Sequence, residues 1–165
     1  MPKDLEELCN NHQIKYFTNG LESLKKIPEN SIDIVFSNAV LEHIYKDEFI
    51  DIFKELKRIL KDDGYMSHQV DFKDHLGGSL NNLRFSEKIW ESYLFKNSGF
   101  YTNRIRHQRM LDIFIETGFI ITDINLSKWD KLPINVNKLS NQFRNCSHED
   151  LLVSGFKIKL VPNEE

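Results

Sequence analysis

The chain has 165 residues, which is enough for one domain with a buried core. Its formal net charge of −3 argues against binding to nucleic acid or to an anionic membrane through overall charge. No apolar run approaches the ~20 residues of a membrane-spanning helix and no secretory signal opens the chain, so we expect a soluble, cytoplasmic protein.

The chain contains two cysteines, Cys9 and Cys146, which lie far apart in the sequence. Their spacing does not match a zinc site, and we predict no metal site. Free thiols in a reducing compartment are expected rather than a disulfide.

The amino-terminal part of the chain predicts three short elements. A helix is expected over Pro2–Asn11 and a short strand over Ile14–Phe17. After a turn at residues 18–20, Leu21–Ile27 predicts one or two further helical turns.

The central stretch predicts a strand, a helix and a second strand. Ile32–Phe36 is a short run of β-branched and aromatic residues that is typical of a buried strand. From Lys46 to Leu60 apolar residues recur at helical spacing, Asp62-Asp63-Gly64 ends the helix, and Tyr65–Val70 is a strand. Such a unit is right-handed with parallel strands, and ligands bind beyond the carboxyl ends of parallel strands. The loops at 37–43 and 71–75 are therefore the predicted chemical edge.

The remaining elements follow in the order helix, helix, strand, loop, strand. Ser86 is a plausible N-cap for a helix that reaches Leu94, and a second helix is expected from about Asn103 to Thr117. Phe119–Leu126 and Leu152–Val161 are predicted strands. Residues 127–147 are polar and irregular and are expected to form a lid or a subunit contact.

Two motifs in the central stretch resemble those of class I S-adenosylmethionine-dependent methyltransferases. The segment that ends in Val40-Leu41-Glu42-His43 is similar to the loop after the fourth strand of that family. The segment Leu60-Lys61-x-x-Gly64 is similar to the turn before its fifth strand. The resemblance covers roughly residues 12–126.

This resemblance implies an α/β fold, a partial doubly wound, Rossmann-like sheet with helices on both faces. The strand order of the family is 3-2-1-4-5-7-6, mostly parallel with an antiparallel last strand. By resemblance, Ile14–Phe17 is the third strand and Ile32–Phe36 the fourth. We expect a single truncated domain over residues 1–165, with an acceptor-side insertion at about 72–117.

The first two strands of the family and the glycine-rich loop between them have no counterpart, because the sequence contains no G-x-G. The fourth strand therefore becomes an edge of the sheet, and a long apolar edge promotes aggregation unless it is covered. We expect either the amino-terminal strand to pair with this edge or a second copy of the chain to cover it. A naturally short protein and a fragment of a longer one are equally compatible with this pattern.

The resemblance assigns two segments to the cofactor, S-adenosylmethionine, and to its product S-adenosylhomocysteine. Asn19, Gly20 and Leu21 are implied to contact the adenine ring, although the acidic residue that is common at the position of Gly20 is missing. Residues 37–39 are implied to line the methionine end of the cofactor. These three residues are Ser37, Asn38 and Ala39.

Three residues are candidates for proton transfer: His43, Asp71 and His75. His43 follows the fourth strand, where a histidine of this family often faces the active site. Aspartate and histidine beyond the fifth strand are able to pair and to deprotonate an acceptor hydroxyl. A structural role for each residue, such as an ordinary polar strand end, remains the alternative.

The predicted insertion carries the candidate acceptor-binding residues Tyr101, Asn103, Arg104 and Arg106. An aromatic face, an amide and two guanidinium groups suit an anionic or sugar-like acceptor. The equally weighted alternative is that the arginines pair with Asp71, Asp74 or Glu87 and brace the insertion.

The leading hypothesis is methyl transfer from S-adenosylmethionine to oxygen or nitrogen of a small-molecule or glycan-type acceptor. The alternative is a non-catalytic methyltransferase remnant that acts as a scaffold or associates with itself. A nucleotide-binding domain of another kind is less favoured, because no phosphate-binding glycine loop is present.

Overall fold

A computed structural model of the chain describes residues 7, 9 and 11–163. The helix predicted over Pro2–Asn11 lies mostly outside the described residues. So do the last two residues of the carboxyl-terminal tail. Within the part of the chain that is described, no helix has the length and hydropathy needed to cross a membrane.

In the part of the chain that the structure describes, four strands form one sheet in the order β1-β2-β4-β3. They are β1 (Ile32–Asn38), β2 (Leu60–Asp71), β3 (Phe119–Lys128) and β4 (Val153–Pro162). β1 and β2 are parallel, whereas β4 is antiparallel to both of its neighbours. The sheet therefore has three strands in one direction and the last strand in the other, which confirms the order predicted for strands four to seven of the family.

The predicted strand–helix–strand unit is confirmed by α2 (Phe49–Ile59), which connects β1 to β2. Its apolar face is buried in the main core, as the helical spacing predicts. β2 begins at Leu60, earlier than expected, and includes the residues that were predicted to form a turn. A Cβ on Gly64 would lie 2.9 Å from the carbonyl oxygen of Asp33. The close approach of β1 and β2 therefore requires glycine there.

The helix layer consists of α1 (Gly20–Leu24), α2 and α5 (His107–Glu116). On one side of α2, the ring of Phe53 lies 4.7 Å from that of Phe114 in α5. On its other side, the Arg58 guanidinium donates to the carbonyl oxygen of Leu24, at 3.1 Å. The order across the layer is therefore α5, α2, α1.

The second face of the sheet is exposed, and the expectation of helices on both faces is wrong for the described residues. Alternate residues of a strand share one face. On that face Phe36 is 80% exposed and Ser67, Gln69 and Lys157 are exposed. Within residues 7, 9 and 11–163, helices cover only the other face of the sheet.

The predicted strand at Ile14–Phe17 is not formed, and it does not pair with the edge of the sheet. This segment is irregular, and Ile14, Tyr16 and Phe17 are exposed. A short apolar run becomes a strand only where another strand offers hydrogen-bond partners, and its neighbour in the family is the absent second strand. Among the described residues, β1 pairs with β2 alone.

The insertion folds as short helices rather than long ones. The helix predicted from Ser86 divides into α3 (Glu87–Trp90) and α4 (Tyr93–Lys96). The helix predicted from Asn103 begins only at His107, because residues 101–106 are buried in an irregular, non-helical segment.

The segment at 127–147 packs against the insertion. Short helices α6 (Asn141–Arg144) and α7 (His148–Leu152) precede β4. Their apolar residues join the insertion in a second core cluster of Leu80, Leu83, Leu139, Phe143 and Leu151. The predicted role of residues 127–147 as a lid or a subunit contact stays a prediction.

Candidate functional site at the carboxyl edge of the sheet

The loop after β1 is held in place by β2. The Ser37 hydroxyl lies 2.8 Å from Nδ1 of His68, and the backbone N–H of Ala39 donates to the carbonyl oxygen of Gln69 at 2.9 Å. Ala39 has φ +52°, a left-handed conformation that is costly for a residue other than glycine. Asn38 and Ala39 are exposed, so this loop presents a fixed polar surface at the carboxyl edge.

The other predicted cofactor segment lies at the start of α1. Gly20 has φ +49°, and the backbone N–H of Asn19 donates to the Ser23 hydroxyl at 3.0 Å. Leu21 is half-buried and packs toward the main core. Because α1 leads into the amino end of β1, its first residues lie toward the same edge as Ser37.

His43 and His75 form the principal polar contact of the site. Nδ1 of His43 lies 2.9 Å from the carbonyl oxygen of Tyr101, which only accepts hydrogen bonds, so Nδ1 carries the proton. In the tautomer with the proton on Nδ1, Nε2 of His43 offers a lone pair, and Nε2 of His75 lies 3.4 Å from it. The structure thus brings together two of the three predicted catalytic residues.

We expected an aspartate near the end of β2 to pair with His75. Instead, Asp71 and Asp74 accept hydrogen bonds within their own loop. Asp71 accepts from the backbone N–H of Lys73 at 2.9 Å. Asp74 is buried and accepts from the backbone N–H groups of Leu76 and Asn81. Short-range bonds to backbone N–H groups satisfy these carboxylates, so the partner of His75 is another histidine.

Tyr101 and Asn103 are buried and attach the insertion to the rest of the domain. The Tyr101 hydroxyl donates to Glu91 at 2.9 Å, and burial raises the pKa of Tyr101, so this hydroxyl stays protonated. The Asn103 amide donates to the carbonyl oxygens of Leu41 and Ile44, at 2.8 and 3.0 Å. These contacts fix the turn that carries His43.

The two candidate arginines are also buried and engaged. The Arg104 guanidinium donates to the carbonyl oxygen of Phe85 at 2.8 Å and pairs with Glu87 at 2.5 Å. The Arg106 guanidinium donates to the carbonyl oxygen of Val153 at 2.8 Å and lies 3.6 Å from the carboxylate of Asp150. These contacts favour the bracing alternative, while acceptor binding by the four residues stays a prediction.

Glu42 is a buried acid that sequence reasoning did not select. It is 4% exposed; Oε1 is 3.4 Å from the backbone nitrogen of Asp71, and Oε2 has no hydrogen-bond partner among the described residues. It lines a cavity of about 10 Å³ together with Asn82 and the two arginines. Its place in the Leu41-Glu42-His43 motif was the available signal, but burial depends on the distant insertion.

We predict that Glu42→Gln raises the free energy of unfolding at pH 8 by about 1 kcal/mol. Burial raises the pKa of the Glu42 carboxyl, so the folded state disfavours its charged form. The stability due to the protonated form is lost as pH rises beyond the ordinary value of about 4.5. Urea unfolding should therefore show a larger gain at pH 8 than at pH 5.

Glu149→Gln on exposed α7 is the matched control for loss of a negative charge. A Glu42→Gln variant that is less stable than the wild-type chain at both pH values would contradict the prediction.

Metal-ligating residues are not gathered at this edge. In residues 7, 9 and 11–163, no group of three or more His, Cys, Asp or Glu is placed to hold a metal ion. Cys9 and Cys146 are free thiols, and burial raises the pKa of Cys146.

Comparisons with known proteins identify a family model and solved structures that are similar to this chain. Residues 2–67 match the family model described as a methyltransferase domain. No curated protein matches the chain.

Solved structures share the fold at low identity. A SAM-dependent methyltransferase from Methanosarcina mazei is 14% identical with a TM-score of 0.56, over 92% of this chain and 68% of that chain. One from Archaeoglobus fulgidus is 15% identical with a TM-score of 0.52, over 96% and 72%. The [4+2]-cyclase SpnF is 11% identical with a TM-score of 0.56, over 96% and 60%.

The fold is that of the class I S-adenosylmethionine-dependent methyltransferases. The chain has a methyltransferase-like fold, and S-adenosylmethionine is the cofactor that the family model over residues 2–67 and the solved structures of this fold imply. One of the three solved structures is a cyclase, so the fold alone does not fix the reaction.

The described residues fit one side of this cofactor. The exposed, fixed loop at 37–39 and the start of α1 are polar surfaces at the edge where ligands bind. The opposite side would be built on the strand beside β1, and among the described residues that edge is open.

Proposed function

We propose that the chain supplies the acceptor side of a S-adenosylmethionine-dependent methyltransferase. The acceptor is a small molecule or a glycan-type group that is methylated on oxygen or nitrogen. The observation that carries this proposal is the 2.9 Å contact between Nδ1 of His43 and the Tyr101 carbonyl oxygen, which leaves Nε2 of this exposed residue for an acceptor. Bound S-adenosylmethionine would supply an electrophilic methyl group.

The roles of the chain's own residues follow from their contacts. Nε2 of His43 takes the proton of the acceptor when its 3.4 Å contact with Nε2 of His75 opens, and the exposed ring then passes that proton to solvent. Asn103 holds the His43 turn, so it is a positioning residue. Asn38 and Ala39 contact the cofactor, and the first residues of α1 lie on its adenine side.

The proposal predicts that S-adenosylhomocysteine binds the 165-residue chain with a Kd below about 1 mM. Asn38→Ala should weaken this binding about tenfold, because it removes an exposed amide from the fixed loop. Isothermal titration calorimetry measures both values. Asn125→Ala, an exposed asparagine on the far edge strand β3, is the matched control and should leave Kd unchanged.

The alternative of a non-catalytic remnant has its own support in the open edge of β1 and the missing glycine-rich loop. Absence of binding at millimolar S-adenosylhomocysteine would favour that alternative and contradict the proposal. A homodimer through the β1 edge and a cytoplasmic location stay predictions.

A further inference from the structure

A hollow lies on the exposed face of the sheet at the carboxyl end of β2. Gly155 of β4 pairs with Asp71 of β2 on one side and with Ser127 of β3 on the other. Paired residues of antiparallel strands share a face, so the absent side chain of Gly155 leaves a space between those of Asp71 and Ser127. Only glycine fits at this position, because a Cβ there would lie 2.5 Å from the carbonyl oxygen of Val70.

The hollow has a volume of about 110 Å³, and polar side chains form its walls. Gln69 of β2 and Lys157 of β4 are paired directly beside the glycine. Lys73 lines the hollow from the loop after β2, and Ser127 lines it from β3. All four of these residues are exposed, so a ligand reaches them from solvent.

The two lysines of the hollow are free cations. In the part of the chain that the structure describes, neither Lys73 nor Lys157 forms an ion pair, whereas five other lysines do: Lys25, Lys46, Lys54, Lys61 and Lys96. Two unpaired cations that line one small cavity repel each other, and an anion between them offsets that repulsion. The hollow therefore favours a ligand group with negative charge.

The other lining groups favour hydroxyls. One oxygen of the Asp71 carboxylate accepts from the backbone N–H of Lys73 at 2.9 Å, and the other makes no hydrogen bond among the described residues. The side chains of Gln69 and Ser127 make none within residues 7, 9 and 11–163 either. A carboxylate oxygen, an amide and a hydroxyl suit the hydroxyl groups of a sugar, which both donate and accept. The carboxylate also disfavours an anion that has no hydroxyl to donate.

The hollow adjoins the proposed catalytic histidines. The loop after β2 starts in the hollow at Asp71 and Lys73 and continues to His75. On the other side, the backbone nitrogen of Asp71 lies 3.4 Å from Oε1 of Glu42, the residue before His43. A ligand in the hollow therefore lies beside the edge at which both histidines are exposed.

We propose that this hollow binds the acceptor, and that the acceptor is an acidic sugar in which a carboxylate or a phosphate group accompanies the hydroxyls. Lys73 and Lys157 bind the anionic group. The free oxygen of Asp71 accepts from a ring hydroxyl, and Gln69 and Ser127 bind further hydroxyls. The hollow thereby sets the specificity for the acceptor.

This inference rests on the proposed function for the role of the ligand as an acceptor, but binding to the hollow requires no cofactor. The two are therefore tested separately. Sugar binding without any binding of S-adenosylhomocysteine would support the site and contradict the proposed function. Binding of S-adenosylhomocysteine without sugar binding would contradict this inference alone.

The test is a titration of the full chain with four ligands that share one pyranose ring, followed by nuclear magnetic resonance at low ionic strength. Glucuronate and glucose 6-phosphate are the anionic probes, glucose is neutral and glucosamine is cationic. We expect a Kd below about 10 mM for at least one anionic probe, and at least tenfold weaker binding of glucose and glucosamine. The tighter of the two anionic probes identifies the preferred anionic group.

Lys73→Gln and Lys157→Gln should each weaken binding of the tighter probe at least fivefold. The matched control is Lys159→Gln, two residues further along β4 on the same face. The Lys159 ammonium lies 4.5 Å from the centre of the Tyr65 ring, outside the hollow, so the affinity should not change. Ser127→Tyr fills the hollow without changing its charge and should abolish binding.

Equal affinity for glucose and for both anionic probes would overturn the proposal, and so would unchanged affinity in both lysine variants of the hollow. An equal loss in Lys159→Gln would also overturn it, because it would show nonspecific attraction of anions to surface lysines. If Ser127→Tyr failed to fold by circular dichroism, the lysine variants, which alter only exposed side chains, would still decide.

Discussion

Arg106→Met is expected to lower the free energy of unfolding by about 3–5 kcal/mol, because it removes one partner of a buried ion pair. Arg106 is 5% exposed. Its guanidinium pairs with the Asp150 carboxylate, donates to the Val153 carbonyl oxygen and lies over the ring of Phe72. Methionine fills a similar volume but removes the cation beside the Asp150 carboxylate, which keeps the backbone N–H of Gln108, and leaves the buried Val153 carbonyl without this donor. Urea unfolding of the full chain at pH 7 measures the loss.

The matched control is Arg109→Met. Arg109 pairs with Glu116 at 2.6 Å, but both side chains are about half exposed, so the loss should be below about 1 kcal/mol. If Arg106→Met lowered the free energy of unfolding no more than Arg109→Met does, the bracing role of Arg106 would be contradicted. This result would also strengthen the prediction that the arginine is held for an anionic acceptor.

His68 is expected to make the fold acid-sensitive, with a loss of about 3 kcal/mol between pH 6.5 and pH 4. The imidazole is 2% exposed in the core-facing side of β2, and burial lowers its pKa to about 4. In that range the unfolded chain takes up a proton at this residue and the folded chain does not. Stability is therefore fully present above about pH 6.5 and falls as pH decreases toward 4.

The measurement is the difference in unfolding free energy between the wild-type chain and His68→Gln across this range. Glutamine preserves a hydrogen-bonding group for Ser37, which lies 2.8 Å from the imidazole, and it does not titrate. The wild-type curve should fall more steeply by about 1.4 kcal/mol per pH unit. Subtraction also removes the contribution of Glu42, whose raised pKa has the opposite slope.

Exposed His148→Gln is the control for removal of a histidine as such. Parallel curves for the wild-type chain and His68→Gln would show that His68 is already protonated in the folded state. The contact between Ser37 and His68 would then be a charged one, with a different orientation of the loop after β1.

The sequence predicted the features that depend on local periodicity. Helical spacing identified α2, and the β-branched runs identified all four strands of the sheet. The resemblance supplied their order, including the antiparallel β4. It also placed His43 and the loop at 37–39 at the edge where the structure has them.

The tertiary structure alone decided which polar residues are accessible. Arg104 and Arg106 carry the same charge as any surface arginine, and only the packing of the insertion against residues 127–153 buries them. The partner of His75 likewise depends on the loop after β1 and on the Tyr101 carbonyl. Such contacts join residues about 30 to 60 positions apart, which local patterns do not encode.

The Ile14–Phe17 segment is a case in which a local pattern predicted an element that the tertiary structure did not form. Its pattern predicted a strand, yet it is irregular and exposed, because a strand requires hydrogen-bond partners from another strand. The sequence by itself determined which segments favour extended or helical backbone. The tertiary structure decided which of them are paired, buried or left open, because pairing and burial depend on contacts between distant parts of the chain.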